Sequence, residues 1–504
     1  MIQKNIPVSI WSPSRRPRPD VVVQSEKFFT SLPTSVESAG PDSPTIGDPR
    51  SEFQHDYDRL LFSTPVRRLA DKTQVWPMDE NDSVRTRLTH SHEVANLARS
   101  IGTRVYLLKR EEFERSIIKP EALLNVIQPV LLATGLGHDL GNPPFGHQGE
   151  TAIGKWFAQR SEWIFTKTCA GGPDLDESQK VPEECRLEFT QFDGNPQALR
   201  LLTKLQTHID GVGLDFTACT LAAGLKYPVS FENINKKTAI RKKGGYFSSE
   251  KHVIDWIREN TGLEEGQRHP LTWIMEACDD IAYSVLDVDD VLKKNVMSPD
   301  DILVVLRNKI EDSAVLDKIN KRFDVVEKKS LRPETQREIK IQYLRASFLE
   351  ALIIHASESF VASLKAIFSF THEKPLMDDS ELCEALKKIA RKYAFKNPLV
   401  LKTEAFGAAA LDGLMCAFWA AITEREDAER IESEKLSPRS RYIFSLISPN
   451  YIDQAIAPDQ PSSSANGQRY RELRLLTDMI SGMTDTFAMR LWKEIQFLPN
   501  ANCS

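Results

Sequence analysis

The stretch Gly137-His138-Asp139-Leu140-Gly141-Asn142-Pro143-Pro144-Phe145-Gly146-His147-Gln148-Gly149-Glu150 decides how the chain is read. Upstream of it, Pro129 is followed by Val130, Leu131, Leu132, Ala133 and Leu136. That apolar run predicts a buried helix ending at His138-Asp139. Adjacent helical residues lie about 100° apart, so both side chains reach one point from the helix rim. Gly141-Asn142-Pro143-Pro144 stops the helix, because proline has no N–H and restricts the residue before it. Working outward, His90 shares a helical face with Val94, Leu97, Ala98 and Ile101, while His92 points to the other side. Asp279 falls on a third predicted helix that opens at Pro270, a favourable first-turn position. Ile274, Ala277, Ile281, Val285 and Val288 form its core stripe, and Asp279 lies in the neighbouring row with Met275, Ala282 and Leu286. A carboxylate there is costly unless paired or metal-bound. Two imidazoles and two carboxylates make a mixed N/O donor set. It suits Mn, Mg, Ni or Fe better than a thiolate-bound structural zinc. The expectation is a metal-dependent hydrolase whose ligands project inward from three helices.

The rest of the composition bounds the answer. At 504 residues the chain can bury one large core, and its 41% hydrophobic and 27% charged residues are ordinary for a globular protein. Seven scattered cysteines without a Cys-x-x-Cys read as reduced thiols in a cytoplasmic protein. The first residues hold no apolar signal sequence. The apolar run Ala405 to Ile422 contains Asp412 and reads as a buried helix, so no membrane association is expected. A net charge of −6 excludes a generally basic nucleic-acid coat. Positive charge for an anionic substrate must then be local, with Lys226, Arg241-Lys242-Lys243 before Gly244-Gly245, and Arg474 as candidates.

Helical periodicity dominates, so the fold class is all-α: a helical bundle with few short strands, Gly245 to Ser248 being a candidate hairpin. Residues 1–48 are rich in Pro, Ser and Arg and read as a flexible arm. Arg15, Arg16 and Arg18 on it would at most touch DNA or a neighbouring subunit. Residues 49–300 form the expected catalytic core. Residues 301–504 form a helical C-terminal part that completes the pocket and oligomer contacts, with a surface insertion near 424–468. Residues 161–190 read as a loop excursion.

The serial order of nine segments resembles the HD-type dNTP triphosphohydrolases, most closely the long bacterial dGTPase branch. These segments are Asp56 to Ser63, Arg67 to Val75, Arg85 to Ser91, Gly137 to Glu150, Phe192 to Gln197, Lys226-Tyr-Pro, Lys242 to Phe247, Ala277 to Tyr283 and Asp478 to Asp485. The likeness runs from about residue 50 to about 490. It implies an HD domain with one divalent metal per subunit, Mn2+ or Mg2+, on His90, His138, Asp139 and Asp279. His147 and Glu150 would be the catalytic pair. Gln74, Tyr283 and Asp287 would face the sugar, and Asn195, Lys226, Lys243 and Arg474 the phosphates. Phe395 and Glu404 would read the base. The implied reaction is hydrolysis of dGTP to deoxyguanosine and tripolyphosphate, controlling dNTP pools, with a broad-specificity dNTP triphosphohydrolase as the alternative. Partners implied are the dNTP, further copies of the chain in a hexamer or tetramer, and a single-stranded DNA effector. Another HD phosphohydrolase is disfavoured by the His147-Gln-Gly-Glu150 extension, and a non-catalytic nucleotide sensor by the complete ligand set. Thr64-Pro65-Val66 and Cys278 depart from the pattern without touching a ligand.

Overall fold

The computed structural model describes residues 8–17, 48–77, 81, 83–117, 121–310, 314–456 and 467–498. Among these there is no β-strand, only isolated bridges pairing Thr73 with Thr86, Lys167 with Asp174 and Arg425 with Lys435. The helices that build or hold the site are α1 (Glu52–Leu61), α2 (Arg87–Leu108), α3 (Gln128–Gly137), α4 (Gly146–Ala158), α5 (Gly194–Thr203), α6 (Ala218–Gly224), α7 (Pro270–Lys293), α8 (Pro333–Ala362), α9 (Glu381–Ala390), α10 (Pro398–Thr423), α11 (Gln468–Ser481) and α12 (Asp485–Gln496).

Local chemistry starts these helices where the sequence says. The Ser51 hydroxyl accepts from the Gln54 N–H while the Gln54 side chain accepts from the Ser51 N–H, and Thr86 and Thr89 form the same reciprocal cap on α2. Pro129 and Pro270 sit in the first turns of α3 and α7, where a missing N–H costs nothing. α2 lies against α3, and α7 packs on α2 and α8. Small residues set the α2–α3 distance. A Cβ at Gly135 would stand 2.6 Å from the Ala95 Cα, and one at Gly102 would stand 2.1 Å from the Leu131 Cδ1. This close approach places His90, at the start of α2, beside His138, at the end of α3, with ring centroids 5.5 Å apart.

The N-terminal arm is corrected where the structure describes it. Residues 8–17 dock on the core, with Ile10 and Trp11 buried. His269 caps α7 by accepting from the Leu271 N–H, so its proton sits on Nε2 and is donated to the Ile10 carbonyl at 3.1 Å. The Ala218 and Cys219 amides of α6 donate to Ser14 and Ser12 carbonyls. Arg15 pairs with the buried Asp56 at 2.9 Å, and Arg16 donates to the Thr203 carbonyl at 2.5 Å. Composition hid this because the arginines are held by inward carboxylates and carbonyls far away in sequence. Arg18 and the rest of the arm lie outside the described residues.

Three further expectations change. Gly245 to Ser248 forms no hairpin: a Cβ on Gly245 would lie 1.6 Å from the Tyr227 carbonyl oxygen, so this segment crosses another backbone instead of pairing with a strand. The 161–190 excursion returns to the core through buried Ile164, Phe165 and Val181. In the 424–468 region, Arg425 is buried on Glu472 at 2.6 Å and two short helices, Pro438–Ser445 and Pro449–Ile456, follow. Residues 457–466 lie outside the described residues. α10 is long and apolar enough to cross a membrane, yet 56% of its most apolar window is buried. It packs on α4, α11 and α12.

Gly135→Ala is expected to destabilise the protein. Alanine gains about 1 kcal/mol of helix propensity, but overpacking against backbone that cannot yield costs about 1–3 kcal/mol. A thermal melt should show a lower Tm, and an unchanged or raised Tm would contradict the close α2–α3 approach.

Candidate metal centre and catalytic cavity

His90, His138 and Asp279 converge at one point. Asp279 Oδ1 lies 3.6 Å from His90 Nε2 and 3.5 Å from His138 Nε2. His90 is fully buried, and neither of its ring nitrogens has a hydrogen-bond partner among the described residues. The His138 Nδ1 bonds the Gly135 carbonyl at 2.7 Å, which leaves Nε2 without a partner and aimed at the same point. Orphaned buried nitrogens are expensive, and a divalent ion is the group this donor set fits. Asp139 flanks the centre, with Oδ2 3.6 Å from His138 Nε2. Its carboxylate accepts from Asn142 Nδ2 at 2.6 Å and from Arg87. Burial drives the His138 pKa down, but Asp139 and Asp279 outweigh it and hold the ring at about 9. Asp279 is held well below the usual carboxylate range; burial opposes this, and Lys226 at 3.2 Å overcomes it.

A cavity of about 400 Å³ opens beside this centre. Its wall brings together Gln74, His138, Asp139, His147, Glu150, Asn195, Lys226, Lys243, Asp279, Tyr283 and Phe395, all anticipated from sequence. His147 Nδ1 meets Glu150 Oε2 at 2.9 Å, and Glu150 Oε1 accepts from the Gly194 N–H at 2.7 Å. Glu150 is therefore fixed and orients the largely exposed His147 ring, whose pKa it raises through that hydrogen bond. Tyr283 and Phe395 stack on the cavity wall with centroids 5.4 Å apart. Cations gather around it, several already partnered: Lys226 with Asp279, Lys243 with Asp193, and Lys387 with Asp280 at 2.8 Å.

Three anticipated residues sit elsewhere. Arg474 is buried away from the cavity, its guanidinium over the Phe247 ring at 3.6 Å and paired with Glu188 at 3.1 Å. It staples α11 to the core instead of lining the cavity. Asp287 lies two turns beyond Asp279 on α7, fully buried and outside the cavity wall, and neither carboxylate oxygen has a hydrogen-bond partner among the described residues. Burial pushes its pKa well up. Glu404 stands on α10 beside Gln148, also outside the wall, and burial raises its pKa. Conversely, Arg87, Asp280, Lys387 and Arg391 line the cavity without having been assigned a role, and Lys242, a candidate for local positive charge, lines it too. Arg391 and Phe395 open and close a π-helical turn that continues α9. A Lys387–Arg391 spacing of four residues was the available signal, but on an amphipathic helix it is indistinguishable from an exposed charged face.

No protein-family model matches the chain. Full-length relatives do. The chain is 34% identical over 457 residues to the deoxyguanosinetriphosphate triphosphohydrolase-like protein of Listeria innocua serovar 6a, covering 90% of this chain and 95% of that one. It is 33% identical over 456 residues to the protein of the same description from Pseudomonas aeruginosa strain LESB58, covering 88% and 93%. The deoxyguanosinetriphosphate triphosphohydrolase of Enterobacter sp. strain 638 is 30% identical over 482 residues, covering 88% and 93%. These relatives define a triphosphohydrolase enzyme. The chain belongs to the deoxyguanosinetriphosphate triphosphohydrolase family.

Replacing any of His90, His138 or Asp279 by alanine is expected to abolish binding of one divalent ion per chain, while the exposed His92→Ala keeps it. Metal analysis of the purified variants after dialysis checks this. Wild-type metal content in His90→Ala would contradict the assignment.

Proposed function

We propose that the protein hydrolyses deoxynucleoside triphosphates, dGTP first among them, at the α-phosphorus, releasing the deoxynucleoside and inorganic tripolyphosphate. The observation that carries this reading is the His147–Glu150 pair on the wall of one cavity with unpartnered imidazole nitrogens and a ring of cations. The names of the relatives supply the substrate class. We further propose a cytoplasmic, homo-oligomeric enzyme that controls dNTP pools and answers to single-stranded DNA; the scattered free thiols among the described residues favour the reducing compartment.

His90, His138, Asp139 and Asp279 would hold one Mn2+ or Mg2+. Bound there, such an ion supplies Lewis acidity at the α-phosphate and lowers the pKa of water. The remaining work falls to the chain. Lys226, Lys242, Lys243 and Asn195 would hold the phosphates, and Arg87, Lys387 and Arg391 extend the positive wall. The lysines paired with Asp279, Asp193 and Asp280 are already oriented, so little side-chain freedom is lost when a polyanion arrives. Gln74 and the Tyr283 ring, backed by Phe395, would pack on the deoxyribose and leave no room for a 2′-hydroxyl. The dGTP preference rests on the names of the relatives.

In the reaction, the water oxygen bonds to the α-phosphorus and the bond from phosphorus to the 5′ oxygen breaks. Glu150 holds His147 Nδ1, leaving Nε2 free to donate a proton to the departing 5′ oxygen. Its raised pKa favours this acid form. The water's own proton leaves to solvent.

Two outcomes follow. Chromatography with each dNTP and with GTP is expected to show tripolyphosphate as the only phosphate product, dGTP fastest and GTP slowest. Pyrophosphate or single phosphates would contradict attack at the α-phosphorus, and equal rates on four dNTPs would replace dGTP by the broad-specificity reading. The second outcome concerns pH. Activity that needs protonated His147 persists below its raised pKa and falls as pH rises through it. Glu150→Gln removes the raising bond, so the falling limb of kcat should move to lower pH. An unmoved limb would exclude His147 as the acid.

A further inference from the structure

Two segments that supply residues to the cavity wall are joined by a residue that is not itself part of that wall or of the metal centre. Asp485, the first residue of α12, is buried. Its Oδ1 accepts from the Phe145 N–H at 3.0 Å, and its Oδ2 accepts from the Thr73 N–H at 3.0 Å and from the Thr73 hydroxyl. Thr73 precedes Gln74, which lines the cavity. Phe145 precedes α4, which carries His147 and Glu150, also on the cavity wall.

The Phe145 contact is mechanically significant. Phe145 holds φ 63° and ψ 19°, and Gly146 follows at φ 57°. A non-glycine residue in the left-handed region costs free energy and persists only where its surroundings enforce it. This turn sets the direction in which α4 leaves, and therefore where His147 points. Little slack exists around it: a Cβ on Gly146 would stand 2.4 Å from Arg87 Nη2, and one on Gly149 would stand 2.0 Å from the Pro144 carbonyl oxygen. The neighbouring residues of the C-terminal segment grip the same parts. Ser481 O and Asn142 O share the Lys72 ammonium at 2.8 and 2.5 Å, and Asp478 accepts from Arg200 and Gln197 of α5, the helix that presents Asn195.

We propose that Asp485 is a positioning residue: it locks the Phe145 turn to the Thr73–Gln74 segment and so fixes His147 against the sugar-facing wall. The kinetic part of this inference rests on the proposed activity, and the structural part does not. Asp485→Asn keeps the shape and one acceptor but cannot satisfy both sides. Reacting groups displaced by about 1 Å lose on the order of 10- to 100-fold in rate, so kcat should fall by that factor with little change in KM and full metal content. Because Asp485 acts through His147, the same substitution in a His147→Ala background should add no further loss, whereas a general structural defect would multiply. Hydrogen exchange should quicken at residues 73–74 and 145–150 and stay unchanged in α8. Wild-type kcat, wild-type exchange at these segments, or multiplicative losses in the double variant would each overturn the proposal. Should Asp485→Asn fail to fold, Thr73→Val, which removes only the hydroxyl bond, carries the same readouts. A wild-type protein that turns over no deoxynucleoside triphosphate would count against the activity alone, and the exchange measurement then decides on Asp485 by itself.

Discussion

The structure depends on one constraint: both ring nitrogens of His90 and the Nε2 of His138 are buried beside the Asp279 carboxylate without a hydrogen-bond partner among the described residues. Leaving a buried polar group unpaired costs about 1–3 kcal/mol, and here several meet at one point. The surrounding packing makes sense as the means of bringing them there. Glycines at 102 and 135 let α2 and α3 touch. The apolar stripe of α7 lays Asp279 across both. Arg87 and Asn142 hold Asp139 at the edge of the same centre. A fold optimised for stability alone would place apolar side chains at these positions; this one keeps a donor set with the chemistry to hold a divalent ion.

The same logic extends into the cavity. Lys226, Lys243 and Lys387 each face a carboxylate, which keeps the cations extended towards the open space and limits mutual repulsion. Substrate phosphates would then exchange with partners already in place. The N-terminal segment contributes from outside: it caps α6 and binds the start of α7, so the helix that precedes Lys226 and the helix that bears Asp279 are clasped by residues 8–17.

Much of this was legible from sequence because it obeys local rules. His90, His138 and Asp279 fall on helical stripes, and prolines mark where α7 begins and where the chain after α3 breaks. The cavity wall includes Gln74, Asn195, Lys226, Lys243, Tyr283 and Phe395, residues that the sequence motifs single out. What failed depends on long-range packing that no local pattern encodes. Arg474 looks like any helical arginine until Phe189, Phe247 and Glu188 close around it. Asp287 shares the Asp279 face, but two turns carry it beyond the cavity. Glu404, implied by the resemblance to read the base, is set by its helix beside Gln148 and outside the cavity wall. Arg15 and Arg16 were hidden by a Pro- and Ser-rich context, although their partners Asp56, Thr203 and Val212 lie deep in the core. Asp485 was visible as part of a matched segment, but its role appears only when residues 73 and 145 meet it in space.

The central claim is that water attacks the α-phosphorus within the cavity beside the His90–His138–Asp279 centre. Hydrolysis of dGTP in 18O-labelled water tests it most directly. The account predicts one labelled oxygen in the released tripolyphosphate and none in the deoxynucleoside, because the bond from phosphorus to the 5′ oxygen is the one that breaks. Label in the deoxynucleoside hydroxyl, or in a single phosphate or pyrophosphate, would contradict it.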